Sequence, residues 1–379
     1  MASKKKLVIP GDSTREKISY LADNIKKHGH ILTTKKATAG FDGFIDTIVK
    51  IIKNKQGKKS PSMFNKIKEF GNYILEKEGT SFSFELQEQS IKIGGNMPII
   101  SNALGRLGIS TNCVGALGHP HAHIVFKNLS PNCHIYSFAG PGTSTAFEFN
   151  DGKIMLAQMG SLNTLGWDTI KNIIGMDELI HLYKESDLLC IVNWSEIDAS
   201  SDIWKGLLKD VLPRYALPQK KQIVFFDLSD CSKRSKESIV EALELLEKFK
   251  QYTKVVLGLN RNEARLVYEV LYKKNTGKDL AQLGKKIFEK LDIEILLLHA
   301  ASEAIAFNQD GSYACKSFFI KDPKISTGAG DNFNAGFCAA QLLELDLESS
   351  VIFAHAVSGF YVKEGRSPEL GDLINFLEK

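Results

Sequence analysis

The chain has 379 residues, 43% hydrophobic and 24% charged, with a formal net charge of +4. This is ordinary globular composition, long enough for a sizeable core in one large α/β domain or two smaller ones. The small charge is spread through lysine-bearing segments and leaves no nucleic-acid footprint, and no stretch approaches the roughly 20 apolar residues of a membrane span, so neither partner is expected.

The N-terminal MASKKKLVIPGDS is basic but has no apolar run of leader type. Six cysteines, Cys113, Cys133, Cys190, Cys231, Cys315 and Cys338, stand far apart without a C-x-x-C pair. Most sit in apolar runs as small hydrophobes, which points to a reducing compartment and a cytoplasmic location.

In chain order, residues 1–36 carry a charged helical segment from Arg15 to Lys27, read as an N-terminal extension to a domain spanning 37–379. Apolar runs of strand length follow at 36–41, 111–117, 187–193, 222–227, 253–257 and 294–299, with amphipathic segments between most of them. That alternation predicts an α/β fold, a largely parallel sheet with helices on both faces. The lysine-rich NKQGKKSPS at 54–62 reads as an exposed loop. Two stretches break the pattern, 81–93 and 143–159, and read as antiparallel strands, the second turning at Asn150-Asp151-Gly152. Placed together they make a small β lid over the carboxyl ends of the parallel strands, although two ordinary edge hairpins fit the pattern equally well. The alternating histidines of GHPHAH at 118–123 are interrupted by proline and lack a cysteine or carboxylate at ligand spacing, so they read as a loop. Residues 235–250 have the three-and-four apolar spacing of a surface helix.

The chemistry concentrates in ISTGAGDNFNAGFCAAQLLEL, residues 325–345, a glycine-flanked turn running into an apolar helix. Gly328 and Gly330 allow close backbone approach, and the amides of Gly328, Ala329, Gly330 and Asp331 at a helix start form an anion hole suited to phosphate oxygens. The same helix start favours an ionised Asp331 able to accept a hydroxyl proton. A plain helix cap is the competing reading of GAGD by itself. No G-x-x-x-x-G-K-[ST] string occurs, since Gly277-Lys278 lacks the upstream glycine, which disfavours a P-loop kinase.

STGAGDNFNAGF resembles the C-terminal signature of the ribokinase family, the PfkB carbohydrate kinases, in which the aspartate of this turn is the catalytic base. Other segments resemble the family in order. GFDGFIDTIVK at 40–50 looks like its first substrate element, implying Asp46 or, second, Asp42 as a ligand of sugar hydroxyls. GGNMPIISNALGRLG at 94–108 resembles its N-terminal signature, with Gly94 and Gly95 letting substrate lie against the backbone. Ile99 replaces the usual asparagine there and Asn96 stands nearby as a substitute. GLNRNEARLVY at 258–268 resembles the N-x-x-E element, implying that Asn260 and Glu263 organise magnesium and phosphate through water. Asn260 as an N-cap with Glu263 completing the turn fits equally.

On the nucleotide side the family has a threonine and two glycines where this chain reads HAASEA, with His299, Ala301 and Ala304. His355 falls where the family places a residue near adenine. Ile325 stands where an aspartate of a monovalent-cation site often occurs, which speaks against potassium dependence. The resemblance implies a ribokinase-like three-layer α/β/α core with a lid, and ATP and Mg2+ as co-substrates. It further implies transfer of phosphoryl to a hydroxyl of a small sugar-like molecule, in a homodimer paired through the lid. The alternatives are a non-catalytic sugar-binding or regulatory protein and a nucleoside kinase on the same fold.

Overall fold

In a computed structural model, residues 12–57, 59–215, 222–274 and 279–378 are described. The first residues of the basic N-terminus and the Gly277-Lys278 pair lie outside them. Helix α1 (Asp12–His28) leads to strands β1 (Lys36–Phe41), β2 (Phe44–Gln56) and β3 (Lys59–Met63), then α2 (Ile67–Glu76), β4 (Leu86–Gly94) and α3 (Asn96–Arg106). The middle of the chain forms β5 (Ser110–Gly115), β6 (Cys133–Ser137), β7 (Gly142–Phe149), β8 (Gly152–Gln158), α4 (Trp167–Ile174), α5 (Met176–Glu185), β9 (Leu188–Ile191) and α6 (Ser200–Gly206). There follow β10 (Gln222–Asp227), α7 (Lys236–Lys248), β11 (Thr253–Asn260), α8 (Arg261–Tyr272) and α9 (Leu280–Lys290). The last elements are β12 (Ile295–His299), β13 (Glu303–Asn308), β14 (Gly311–Lys316), α10 (Ala329–Leu342), α11 (Leu347–Glu364) and α12 (Leu370–Leu377).

Nine strands form one sheet in the order β14-β13-β12-β11-β10-β9-β1-β5-β6. From β6 to β12 every neighbouring pair is parallel, and only β13 and β14 add on antiparallel. Parallel strands covered on both faces read as continuous apolar runs, as QIVFFD does with all six residues buried. One face packs Trp167, Leu179, Trp204, Leu246, Val267 and Ile287 from α4 to α9. The other packs Leu21, Ile100, Ala335, Phe353 and Phe376 from α1, α3, α10, α11 and α12. The result is a three-layer α/β/α body.

The smaller sheet has five strands, β3-β2-β7-β8 with β4 also on β2. Its spine is β2, which runs antiparallel to β4 and parallel to β7. The segment 54–62, read from sequence as an exposed loop, instead holds the end of β2 and most of β3, paired from Ile52↔Met63 to Gln56↔Lys59. Lysine is compatible with strand here because β3 is an edge of the sheet, where charge discourages pairing with other chains. Residues 81–85 precede β4 rather than belonging to it. An aromatic group of Phe64, Phe70, Tyr73 and Phe84, with Phe147 and Phe149, ties α2 to this sheet.

Helix α1 joins the main core. Ile18, Leu21, Ala22 and Ile25 form its buried stripe, spaced for one helical face, against α11 and α12. All six cysteines are free. Among the described residues no helix is long and apolar enough to cross a membrane.

Candidate active site

The sheet order sets a row of polar residues at the carboxyl ends of adjacent strands. Asp42 follows β1, Asn193 follows β9, Asp227 ends β10, Asn260 ends β11 and His299 ends β12, and the parallel register brings these ends level. Ligands of open α/β sheets bind along such an edge. Helix α10 starts over the row.

Gly328 caps α10 with φ +84°, and Asp331 is the third residue of the helix, half-buried. The Ala329 amide donates to the Ser326 carbonyl at 3.2 Å, so the expectation of a free amide at Ala329 is corrected. The amides of Gly328 and Gly330 make no backbone bond among the described residues and remain for an anion. Gly330 is close to the end of β12: a Cβ there would stand 3.4 Å from His299 Cε1. Burial pushes the Asp331 carboxyl well above the usual carboxylate range, and the carboxylates of Asp227 and Asp42 push it further. Burial and these neighbours therefore act on Asp331 against the helix start, which favours its ionised form.

Where β4 runs into α3, the two glycines of the GGN string make room for two aspartates. A Cβ on Gly94 would stand 2.5 Å from Asp46 Cγ, and one on Gly95, where φ is +89°, would stand 2.5 Å from Asp42 Oδ2. Both glycines thus leave room for a carboxylate, beside the close approach of substrate that the sequence reading gave them. Asp42 is 0% exposed. It accepts the amides of Asn96 at 2.9 Å and Met97 at 2.8 Å, at the start of α3, and the Asn193 side-chain amide at 2.7 Å. Burial raises its pKa to about 7 against these three bonds. With its oxygens so engaged, Asp42 anchors a helix start, and it is the backbone of Asn96 that meets it. Asp46 is only half-buried, opposite Ser144 in the β2–β7 register. Burial raises its pKa, offset by the Ser144 hydroxyl and Lys153. Ser144 Oγ has no hydrogen bond of ordinary length and is free to turn to a ligand.

Asn260 and Glu263 form a reciprocal capping box on α8: Asn260 Oδ1 accepts the Asn262 and Glu263 amides, and Glu263 Oε2 accepts the Asn260 amide at 2.8 Å. The cap reading of these residues is therefore real. Glu263 is also buried beside Asp227, with Asp331 within electrostatic reach, and its pKa is raised well above normal by burial first and then by Asp227. Asp227 itself accepts the Ser229 amide at 2.7 Å and the Asn334 side chain at 2.8 Å, and burial raises it to about 6. An excess of carboxyl charge suits a hard cation. Among the described residues no three His, Cys, Asp or Glu side chains are set to hold a metal directly.

On the far side of Gly330 lies a cavity of about 800 Å³ lined by His299, Ala301, Phe318, Phe333, His355 and Val362, among others. Phe333 lies between the His299 and His355 rings, with centroids 5.2 and 5.0 Å away. Burial lowers both histidines to about 4, so both are neutral, and His355 Nε2 faces the Cys315 carbonyl at 3.3 Å. Ala304 is fully buried in β13 and paired with His299. All three histidines of 118–123 are exposed, and His123 Nδ1 accepts the Val125 amide at 3.3 Å.

Sequence reading missed Asp227, Asn193, Ser144 and Tyr361. The first two carry a signal, since each is a polar residue closing an apolar strand run.

The model of the prokaryotic ketohexokinase family matches residues 13–379. A ketohexokinase of Haloferax volcanii is 27% identical over 368 residues, covering 96% of this chain and 94% of that protein. Among solved structures, a probable sugar kinase from Rhizobium etli superposes with a TM-score of 0.63 at 16% identity, covering 91% of this chain and 97% of that one. Arabidopsis thaliana ribokinase complexed with ribose and ATP superposes with a TM-score of 0.61 at 15% identity, covering 91% and 99%. These two share the fold. The family match runs through the whole site, from Asp42 to His355, and the chain belongs to the prokaryotic ketohexokinase family, carbohydrate kinases on the ribokinase fold.

Proposed function

We propose that this chain transfers the γ-phosphoryl group of ATP to a hydroxyl of a ketohexose, with Asp331 as the base. The observation that carries the reading is the position of Asp331, at a helix start between the Asp46 side and the cavity beneath His299. The name of the Haloferax relative supports the substrate class, and the ATP and ribose held by the Arabidopsis ribokinase support the two-substrate layout.

Asp46 and Ser144 bind acceptor hydroxyls, with Asp42, Gly94, Gly95 and the Asn96 backbone forming the frame behind them. His299, Ala301, Phe333 and His355 receive the nucleotide base and its sugar. The amides of Gly328, Gly330 and Asp331 meet the charge on the phosphoryl oxygens in transit. A bond forms from the acceptor oxygen to γ-phosphorus as the bond to the β-phosphate oxygen breaks, and the acceptor proton passes to Asp331 while ADP leaves. The raised pKa of Asp331 suits a group that takes its proton late in a loose transition state. Mg2+, held through water by Glu263 with Asp227, would neutralise phosphate charge, and those two buried carboxyls fit that demand.

The smaller sheet is read as a lid and as the surface of a homodimer. Ile91 and Leu156, 50% and 52% exposed, lie in one row across it through Thr47 and Thr145.

Asp331→Asn tests the assignment. It is expected to lower kcat on fructose with magnesium-ATP by about 10²- to 10⁴-fold with the fold retained. Near-normal turnover would remove Asp331 from the base role. A wild type that binds fructose and ATP but releases no ADP would favour the non-catalytic reading, and preference for adenosine or ribose would move the acceptor class.

A further inference from the structure

Behind the catalytic turn stands Tyr361, on the last full turn of α11. Its hydroxyl donates to the Thr327 carbonyl at 2.9 Å. The phenol tip rests against the corner of the turn: a Cβ on Gly328 would stand 2.8 Å from Tyr361 Oη and 3.4 Å from Ile99 Cγ2. The tip therefore sits where three elements meet, the 326–328 turn, the start of α3 and α11. These frame the acceptor side of Asp331.

A phenol has one proton to donate and lone pairs to accept with. The proton is engaged by Thr327, so the oxygen can only accept from a ligand. The side chain is half-buried, and burial, with the carboxylates of Asp331 and Asp46, raises its pKa above the ordinary tyrosine value. The group stays a neutral phenol and feels both carboxylates of the acceptor side. Ile99 opposite offers an apolar wall for a sugar's C–H face, without a polar atom of its own.

We propose that Tyr361 is an acceptor-binding residue of this site, its phenolic oxygen taking a hydrogen bond from a ketohexose hydroxyl while its proton stays on the Thr327 carbonyl. This rests on the kinase reading of Asp331 and Asp46 above. It assigns to Tyr361 the contact that Ile99 cannot make.

Tyr361→Phe removes one oxygen and keeps the ring. Fructose binding measured by calorimetry is expected to weaken about tenfold, the scale of one neutral hydrogen bond. ATP affinity stays at the wild-type value, and the thermal midpoint falls only by the loss of the single bond to the Thr327 carbonyl. Against a set of mono-deoxy ketohexoses, the ratio of wild-type to variant affinity falls to near one for the analogue lacking the hydroxyl that Tyr361 holds. Unchanged fructose affinity overturns the proposal, as does an equal loss for every analogue, which would make Tyr361 a brace for the turn. A wild type that binds no ketohexose overturns it too. Because binding is read without turnover, failure here is separate from failure of Asp331 as base, which would be read as near-normal ADP release by Asp331→Asn.

Discussion

Asp42 and Asp46 are four residues apart, yet one is locked among three donors and the other faces an unpartnered serine. The locked one has a thermodynamic signature. Its folded pKa, about 7, lies above that of an unfolded aspartate, so the folded state binds the proton more tightly. The stabilisation is full below the unfolded value, fades as pH rises from about 4 to about 7, and is absent above that. Asp227, raised to about 6, adds to the same slope over the lower part of that range. Between pH 5 and pH 7 the wild type is therefore expected to lose more urea-unfolding free energy than, or gain less than, Asp42→Asn, since the buried His299 and His355, lowered to about 4, oppose that slope alike in both proteins. A variant with the wild-type slope would mean that Asp42 is ionised throughout. Asn193 supports the same anchor from a left-handed backbone, φ 60°, with a buried carbonyl oxygen that has no partner. Asn193→Ala leaves the Asp42 carboxylate short of a donor. It is expected to cost about 1–3 kcal/mol of stability by denaturant titration.

Adjacent glycines separate function from folding at the level of β4 and α3. Gly94→Ala presses on Asp46 and is expected to raise the fructose KM by about 10²-fold with little change in melting temperature. Gly95→Ala presses on buried Asp42 and also places alanine at φ +89°, so its main effect is expected in the thermal midpoint. Equal effects of the two on stability would contradict the division. The α10 turn was readable in the sequence because its chemistry is local, glycines and a carboxylate within five positions. The parallel strands were readable because burial on both faces makes them uniformly apolar. Strand β2 was not: its lysines and a register shift against β3 between Ile52 and Asn54 break the alternation that marks a half-buried strand. Asn193 and Asp227 gain their meaning from β9 and β10 lying side by side with β1, a neighbourhood made by sheet order and invisible along the chain. Ala329 shows the limit of motif geometry, since its amide turns back to Ser326 inside the very turn that the sequence singled out.

Across the whole molecule, helix α1 ahead of β1 packs into the body of the domain. Leu21 of α1 is 1% exposed in the layer that also holds α10 and α11. Leu21→Ala is expected to lower unfolding free energy by about 3 kcal/mol while kcat on the remaining folded enzyme stays unchanged. The central strand β1 lies between β5 and β9, so neither half of the chain completes the sheet alone. In the proposed function the base and Tyr361 stand on α10 and α11, whereas Asp42 and Asp46 come before α3. A fragment that stops ahead of α10 would therefore carry the proposed sugar-side carboxylates without a transfer centre.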